Sequence, residues 1–416
     1  MSVNTSILRK VTTLDGHIAR VWYISWSPDG KLLASCSQDQ SIIIWGKGDH
    51  NQWVMKLKFT GHSGTVRKIN WSSDGKQLVS CSFDKKTIIY KISQPSPTEM
   101  EAVAISVLDG HESEVKDACF SYGNSDMLGT CGRDRQVIVW AVTDPIECIA
   151  QMTGHTQDIK CLAWHPTYTH LLVSGSYDNS IRFWLDPAVD RSGAFNKDLG
   201  EEVSDSWLQV ELHEDHKSTV WDIAFESENK KRKKLSEKEK LSEREKLSEK
   251  DEQKEKEQQI NIESRKDIKH DQQKDDEQTD KDSCSVVDDN AILPYGNSFQ
   301  PRMLSCSADS SVIVWVRPIN NHPYRPSQII KDPFEEGSVI FKASVAQFAA
   351  GGNDNTLRIF TEDPINHQFF LEASVPDAHN SDINCVRFNP VETQYLATCS
   401  DDMLIHIWEV VEQASQ

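Results

Sequence analysis

Residues Gly154 to Trp184 read GHTQDIKCLAWHPTYTHLLVSGSYDNSIRFW, and they hold every part of a unit that returns along the chain. After the Gly-His pair, DIKCLAW alternates apolar and polar residues at the period of two that a half-buried strand requires. A second apolar run ends in the small residues SGS, and the turn-forming YDNS leads into a third run that stops at an aromatic. Asp178 lies six residues before Trp184, and His155 lies 29 before it.

The same phrase occurs seven times. The spacing of six holds for Asp39 and Trp45, Asp84 and Tyr90, Asp134 and Trp140, Asp178 and Trp184, Asp309 and Trp315, Asp354 and Phe360, and Asp402 and Trp408. Six copies carry the upstream histidine: His17, His62, His111, His155, His216 and His379. Its distance to the aromatic is 28 or 29 residues in five copies and 99 in the fifth, which locates an insertion of about 70 residues there.

His, Asp, a strand Ser or Thr and the indole N–H can satisfy one another, and a buried polar group without a partner costs about 1 to 3 kcal/mol. The repeated His and Asp are therefore expected to form a structural network in each unit, not catalytic pairs. Because His and Asp must meet, the loop before the first strand and the turn before the third lie on one face, the top. The insertion joins the first and second strands of the fifth unit and so leaves from the bottom. The last unit stops soon after Trp408, and residues 7–14 read as the strand that completes it, which removes two sheet edges.

The chain has 416 residues, 45 basic and 64 acidic, for a formal net charge of −19. That balance argues against nucleic acid or an anionic membrane as a bulk partner, since both are gripped by neutralising phosphates with Lys and Arg. Residues 229–290 alone hold 17 basic and 19 acidic residues, including KKRKK at Lys230 to Lys234 and the tandem KLSEKE, KLSERE and KLSEK. Leu235, Leu241 and Leu247 recur every six residues. Such a step advances about 240° on a helix and forms no apolar seam. A disordered loop or a solvated helix is expected, because burial cannot offset the entropy of ordering it. The basic run reads as a nuclear localisation signal or as the start of a mixed-charge insert. With a net of −2 in the insert, the other 354 residues carry −17. Met1 to Lys10 contains no apolar leader core and no window approaches the ~18 apolar residues of a membrane span, so a soluble, non-secreted chain is expected.

Five of the ten cysteines, Cys36, Cys81, Cys131, Cys306 and Cys399, stand nine residues before the closing aromatic, where two other units place Gly175 and Gly351. They read as one small buried strand position, and Cys119, Cys161 and Cys385 as core residues of first strands. No bound metal or cofactor is expected.

Antiparallel units recurring every 44 to 50 residues, with Gly-His and Asp at fixed offsets, resemble WD40 repeats. The resemblance implies an all-β, seven-bladed propeller with four antiparallel strands per blade and a long charged insertion in blade 5. Residues 1–228 would carry blades 1 to 4 and the first strand of blade 5, 229–292 the insert, and 293–416 the remainder, with 7–14 closing blade 7. Blade 6 lacks its Gly-His, and KDPFEEGSVIFKASVAQFAAGG is short for two strands.

A scaffold of this kind does not determine function. Two repeat positions are expected on the top rim: the residue five after the His (Trp22, Arg67, Lys116, Lys160, Trp221, Asn384) and the one before the Asp (Gln38, Phe83, Arg133, Tyr177, Ala308, Asn353, Asp401). Aromatic and Arg residues dominate binding hot spots, and basic residues on an acidic domain suggest a partner bearing carboxylates. The predicted partner-binding residues are Arg133, Arg67, Lys160, Lys116, Trp22, Trp221, Tyr177 and Phe83.

The strings CSFDKKT, CGRDRQVIVW, GHTQDIKCLAWHPTYTHLLVSGSYDNS, HKSTVWDIAF, GGNDNTLRIFTEDP and AHNSDINCVRFNP together look like the WD40 subunit of the cytosolic iron-sulfur protein assembly targeting complex. That resemblance implies a non-enzymatic adaptor, a monomeric subunit of a hetero-complex. It would dock with a DUF59-type and a HEAT-repeat partner and help deliver clusters to client apoproteins in the cytoplasm and nucleus. Arg133 stands where this family carries an arginine before the blade 3 Asp. The charged insert has no counterpart in compact members. The alternative readings are a ubiquitin-ligase substrate receptor, although no third strand ends in Trp-Asp-x-Arg, and a histone or peptide reader. A propeller hydrolase fails because the repeated Asp and His belong to the network.

Overall fold

The computed structural model describes residues 6–96, 99–123, 125–186, 207–226, 301–317, 323–331, 340–343 and 347–412. The insert read at 229–292, with its basic run, lies outside them.

Each repeated phrase forms the first three strands of a four-stranded antiparallel sheet, and seven such sheets are present. Blade 4, for example, pairs Ile159–Trp164, Leu171–Ser176, Ile181–Leu185 and Leu208–His213 in that order. The turn before each third strand is the same in all blades. The residue after the Asp adopts a left-handed conformation in Gln40, Lys85, Arg135, Asn179, Ser310, Asn355 and Met403. That costs a non-glycine residue about 1 to 2 kcal/mol. The Asp side chain opposes the cost by accepting the amide N–H two residues on, as Asp178 Oδ1 does from Ser180 at 3.0 Å.

Blade 7 is built from both ends of the chain. Ser6–Leu14 pairs antiparallel with Ile405–Glu412, from Ser6 opposite Glu412 to Leu14 opposite Ile405. The hydrophobic core sits between blades, so that Cys385, Ala397 and Ile405 of blade 7 share one cluster with Val21, Ile24 and Ile43 of blade 1. Tryptophans at the ends of first strands also tie neighbours together. Trp26 donates to Arg387 O (3.0 Å), Trp71 to Ser25 O (3.0 Å) and Trp164 to Cys119 O (2.9 Å).

The small-residue position has a steric basis. A Cβ on Gly175 would come within 2.7 Å of both Cys161 Sγ and Val220 Cγ1. Blade 4 therefore keeps glycine where five blades bury cysteine.

Blade 6 departs from the sequence reading. The segment that looked short for two strands holds both Ile340–Ala343 and Gln347–Gly351, each only four or five residues long. Its Asp354, grouped with the His-containing networks from sequence, has an arginine instead: Arg358 lies 2.5 Å from its carboxylate. The substitution is physically coherent, because the guanidinium supplies to the Asp a charge-assisted donor where an imidazole nitrogen meets it in the other blades.

Candidate protein-binding face

The top face is organised by six repeated networks. In blade 4, His155 Nδ1 lies 2.9 Å from Asp178 and Nε2 lies 2.8 Å from Ser174 Oγ, which accepts from Trp184 Nε1 at 2.9 Å. Equivalent sets join His17, Asp39, Ser35 and Trp45; His111, Asp134, Thr130 and Trp140; His216, Asp309, Ser305 and Trp315; and His379, Asp402, Thr398 and Trp408. In blade 2, His62 bridges Asp84 and Ser80. Burial opposes ionisation of these carboxyls, but hydrogen bonds from the imidazole and backbone outweigh it and hold Asp84 and Asp402 at about 2. These groups are consumed by the fold.

Seven of the eight residues predicted on the rim form cation–aromatic contacts, three of which link neighbouring blades. Arg67 lies over the Trp22 ring at 4.9 Å and Lys116 over Phe83 at 3.9 Å. Lys160 sits between Tyr177 (5.1 Å) and Trp221 (5.5 Å). Lys160 also meets Asp158 at 3.5 Å, and Lys116 meets Glu114 at 3.0 Å. Burial, with the like charges of Lys116 and Arg67 nearby, lowers the Lys160 pKa. The cations thus converge on one part of the face, yet most are spoken for by aromatic rings and carboxylates.

Arg133 differs. Its backbone N–H is anchored to Glu114 O at 2.9 Å, and its guanidinium reaches Glu114 only at 3.3 Å while 59% of the side chain stays exposed. Burial acts to raise the Glu114 pKa, but the hydrogen bonds it accepts from Lys116 and Arg133, and their charges, outweigh that and lower it. Arg133 is therefore a positioned but accessible cation at the edge of the aromatic group. On the blade 7 side, Asn384 is committed to Val21 O and Asp401, and Arg20 pairs with Asp401.

Sequence reasoning missed Glu114 and Asp158. Each stands three residues after its His and two before its Lys, so period-two alternation places acid and base on one strand face, a signal that was readable. It also missed a buried charge cluster in the channel. Lys68 pairs with Asp117 and lies 3.6 Å from Asp222, which Arg387 contacts at 2.8 Å. Tyr23 lies beneath both cations, with its hydroxyl bonded to Arg387 at 2.5 Å. Tyr23, Lys68, Asp117 and Asp222 each follow their His by six residues, a repeat position where polarity should have been conspicuous. Tyr23, Lys68, Asp222 and Arg387 also line a cavity of about 370 Å³ whose walls include Trp26, Trp71, Phe120 and Trp164. Among the described residues, no three His, Cys, Asp or Glu are grouped to hold a metal ion.

The WD domain, G-beta repeat family matches residues 8–46, 53–91, 103–141, 146–184 and 372–409. Each match runs from an outer strand to the closing aromatic of the next phrase. Among curated relatives, a probable cytosolic iron-sulfur protein assembly protein CIAO1 homolog of Ixodes scapularis is 37% identical over 218 residues, 52% of this chain and 62% of that protein. A probable cytosolic iron-sulfur protein assembly protein 1 of Chaetomium globosum is 29% identical over 147 residues, 30% of this chain and 29% of that protein. A guanine nucleotide-binding protein subunit beta of Zea mays is 24% identical over 197 residues, 44% of this chain and 49% of that protein. The chain thus spans less than two thirds of the length of each of these relatives. Five matched WD-domain repeats and seven four-stranded blades make the fold a seven-bladed WD40-type β-propeller, and the chain is similar to the cytosolic iron-sulfur protein assembly proteins.

Proposed function

We propose that this chain is a non-enzymatic adaptor in cytosolic iron-sulfur protein assembly, and that its top face around Arg133 binds a protein partner through carboxylates. The observation that carries the reading is the anchored, accessible guanidinium of Arg133, set beside the cation–aromatic pairs Lys116–Phe83 and Lys160–Tyr177 on a chain of net charge −19. Names of the relatives supply the pathway. The partners it implies are a DUF59-type protein, a HEAT-repeat protein and iron-sulfur client apoproteins, with the cytoplasm and nucleus as compartments.

Arg133→Glu reverses the accessible charge without entering the core. Desolvated interfacial charge pairs lose about 2 kcal/mol or more on such a change, so recovery of these partners in affinity purification with quantitative mass spectrometry should fall at least about tenfold, with the melting temperature unchanged. Equal recovery from both forms would remove Arg133 from the binding face. Enrichment of cullin-adaptor subunits or histones, without the DUF59-type protein, would favour the ubiquitin-ligase or peptide-reader reading.

A further inference from the structure

The residue six after each His lies in a first strand, opposite the small position of the second. The ladders pair Tyr23 with Cys36, Lys68 with Cys81, Asp117 with Cys131, Cys161 with Gly175 and Asp222 with Cys306. Blade 7 pairs Cys385 with Cys399. Among the described residues this is the one ladder position where two thiols stand face to face. Residues directly opposite in an antiparallel pair have Cα atoms about 4.5 or 5.5 Å apart. Both spacings fall within the range of about 4.4 to 6.8 Å that a disulfide spans.

The two thiols are not alike. Burial acts to raise the Cys385 pKa, but the hydrogen bond from Cys399 and the charge of Arg387 outweigh it and lower it. Burial and that same hydrogen bond raise Cys399. Cys385 is thus the better nucleophile, and Cys399 waits beside it with its proton. Cys385 Sγ also lies 3.8 Å from Ile24 O, a weak contact that a disulfide can forgo. Both sulfurs are buried in the cluster that holds Tyr23. Yet Cys385 occupies the repeat position from which Tyr23, Lys68 and Asp222 line the cavity of about 370 Å³, and Arg387, two residues on, lines it too.

We infer that Cys385 and Cys399 form a reversible oxidation site, closed to a cross-strand disulfide by hydrogen peroxide, which is little larger than water and arrives through the cavity. The Cys385 thiolate attacks one peroxide oxygen, the O–O bond breaks, and the departing hydroxide takes the proton that the thiol gave up. The Cys399 sulfur then attacks the Cys385 sulfenic acid, the S–O bond breaks, and the second hydroxide leaves as water with the Cys399 proton. Two thiols and one hydrogen peroxide become one disulfide and two waters, and a small dithiol reverses the change. The linked residues are 14 apart, in the blade that both ends of the chain build, so oxidation stabilises the closure of the ring.

The test treats the folded, reduced full chain with hydrogen peroxide, quenches with N-ethylmaleimide, and digests with trypsin without reductant. Cleavage after Arg387 separates the two cysteines, so the disulfide joins residues 359–387 to residues 388–416. That linked pair should form at least about tenfold faster than Cys36, Cys81, Cys131 or Cys306 is oxidised, since these are buried with no second thiol opposite. Dithiothreitol should abolish it, and the oxidised chain should unfold at a higher urea midpoint. In Cys399→Ala the reaction should stop at the sulfenic acid, trapped by dimedone on residues 359–387. Blades 4 and 6 already hold the smaller Gly175 and Gly351 at that position, and if the variant does not fold, the link mapped in the unaltered chain decides alone. A link to Cys36 instead, or one that forms only as every buried thiol reacts together, would overturn the inference. None of these readouts involves Arg133 or the top face.

Discussion

Replacing Arg387 with methionine should destabilise the propeller by about 3 to 5 kcal/mol, the loss typical when one partner of a buried ion pair is removed. The Arg387 guanidinium donates to Asp222 at 2.8 Å, to Tyr23 Oη at 2.5 Å and to Val386 O at 2.8 Å. Asp222 is 4% exposed, and its other cation, Lys68, lies at 3.6 Å and is itself committed to Asp117. Asp117 in turn accepts from the Leu162 amide at 2.7 Å. Two cations and two carboxylates therefore balance across first strands of blades 2, 3, 5 and 7, with Tyr23 of blade 1 and the Leu162 amide of blade 4 completing the network. Without Arg387 the cluster carries an uncompensated carboxylate in the channel. Urea unfolding of the full chain measures the loss, and pairing the change with Asp222→Asn should recover more than half of it, because the stranded charge goes too. A single-variant loss below about 1 kcal/mol, or a double variant no better than the single, would show that the cluster does not act as a unit.

Acid should weaken the fold well above the carboxylate range. His165 is fully buried, and burial, with the charge of Arg317 second, pushes it down to about 3. Its Nδ1 accepts the Tyr168 amide N–H at 3.1 Å, so the neutral ring carries its proton on Nε2 and donates to Tyr324 Oη at 3.2 Å. A second proton would set two donors against each other. His406, stacked on His379 at 4.1 Å, is held at about 4 by burial and by that neighbour. For both rings the folded pKa lies below the unfolded value of about 6.5. The unfolded chain therefore binds more protons in between. The stability they contribute is complete above pH ~6.5 and is lost as pH falls toward the folded values. At pH 5 each should have forfeited about 2 kcal/mol. The network carboxylates, Asp84 and Asp402 among them, add a further loss only between pH ~4 and ~2. Urea midpoints measured from pH 7.5 to 4.5 should decline steadily, with a shallower slope in His406→Gln. A flat profile over that range would mean both rings reach water.

Much of this was legible before any coordinates. The Gly-His and Asp offsets specified seven units, their strand order and the partner of each imidazole, because backbone pairing and buried-polar satisfaction act over short, repeated distances. Residues 7–14 read as the strand that completes blade 7, and Ser6–Leu14 pairs there with Ile405–Glu412. Arg358 was not. Nothing in the phrase GGNDNTLRIF marks its arginine as the stand-in for a missing histidine, because the same residue type on another strand face would point to solvent.

The sequence by itself determined the blades, since every rule needed to build one operates within about 45 residues of chain, the period of the repeat. Only the tertiary structure decided which surface charges are free. Arg67, Lys116 and Lys160 read as exposed cations, yet each lies against an aromatic ring, of the adjoining blade in Trp22, Phe83 and Trp221, and Arg133 keeps its reach. Lys68, Asp117, Asp222 and Arg387 are up to hundreds of residues apart and meet only because the ring closes. A charge interacts with whatever space places beside it, and in a propeller the nearest neighbours across a blade boundary or across the channel are remote in sequence.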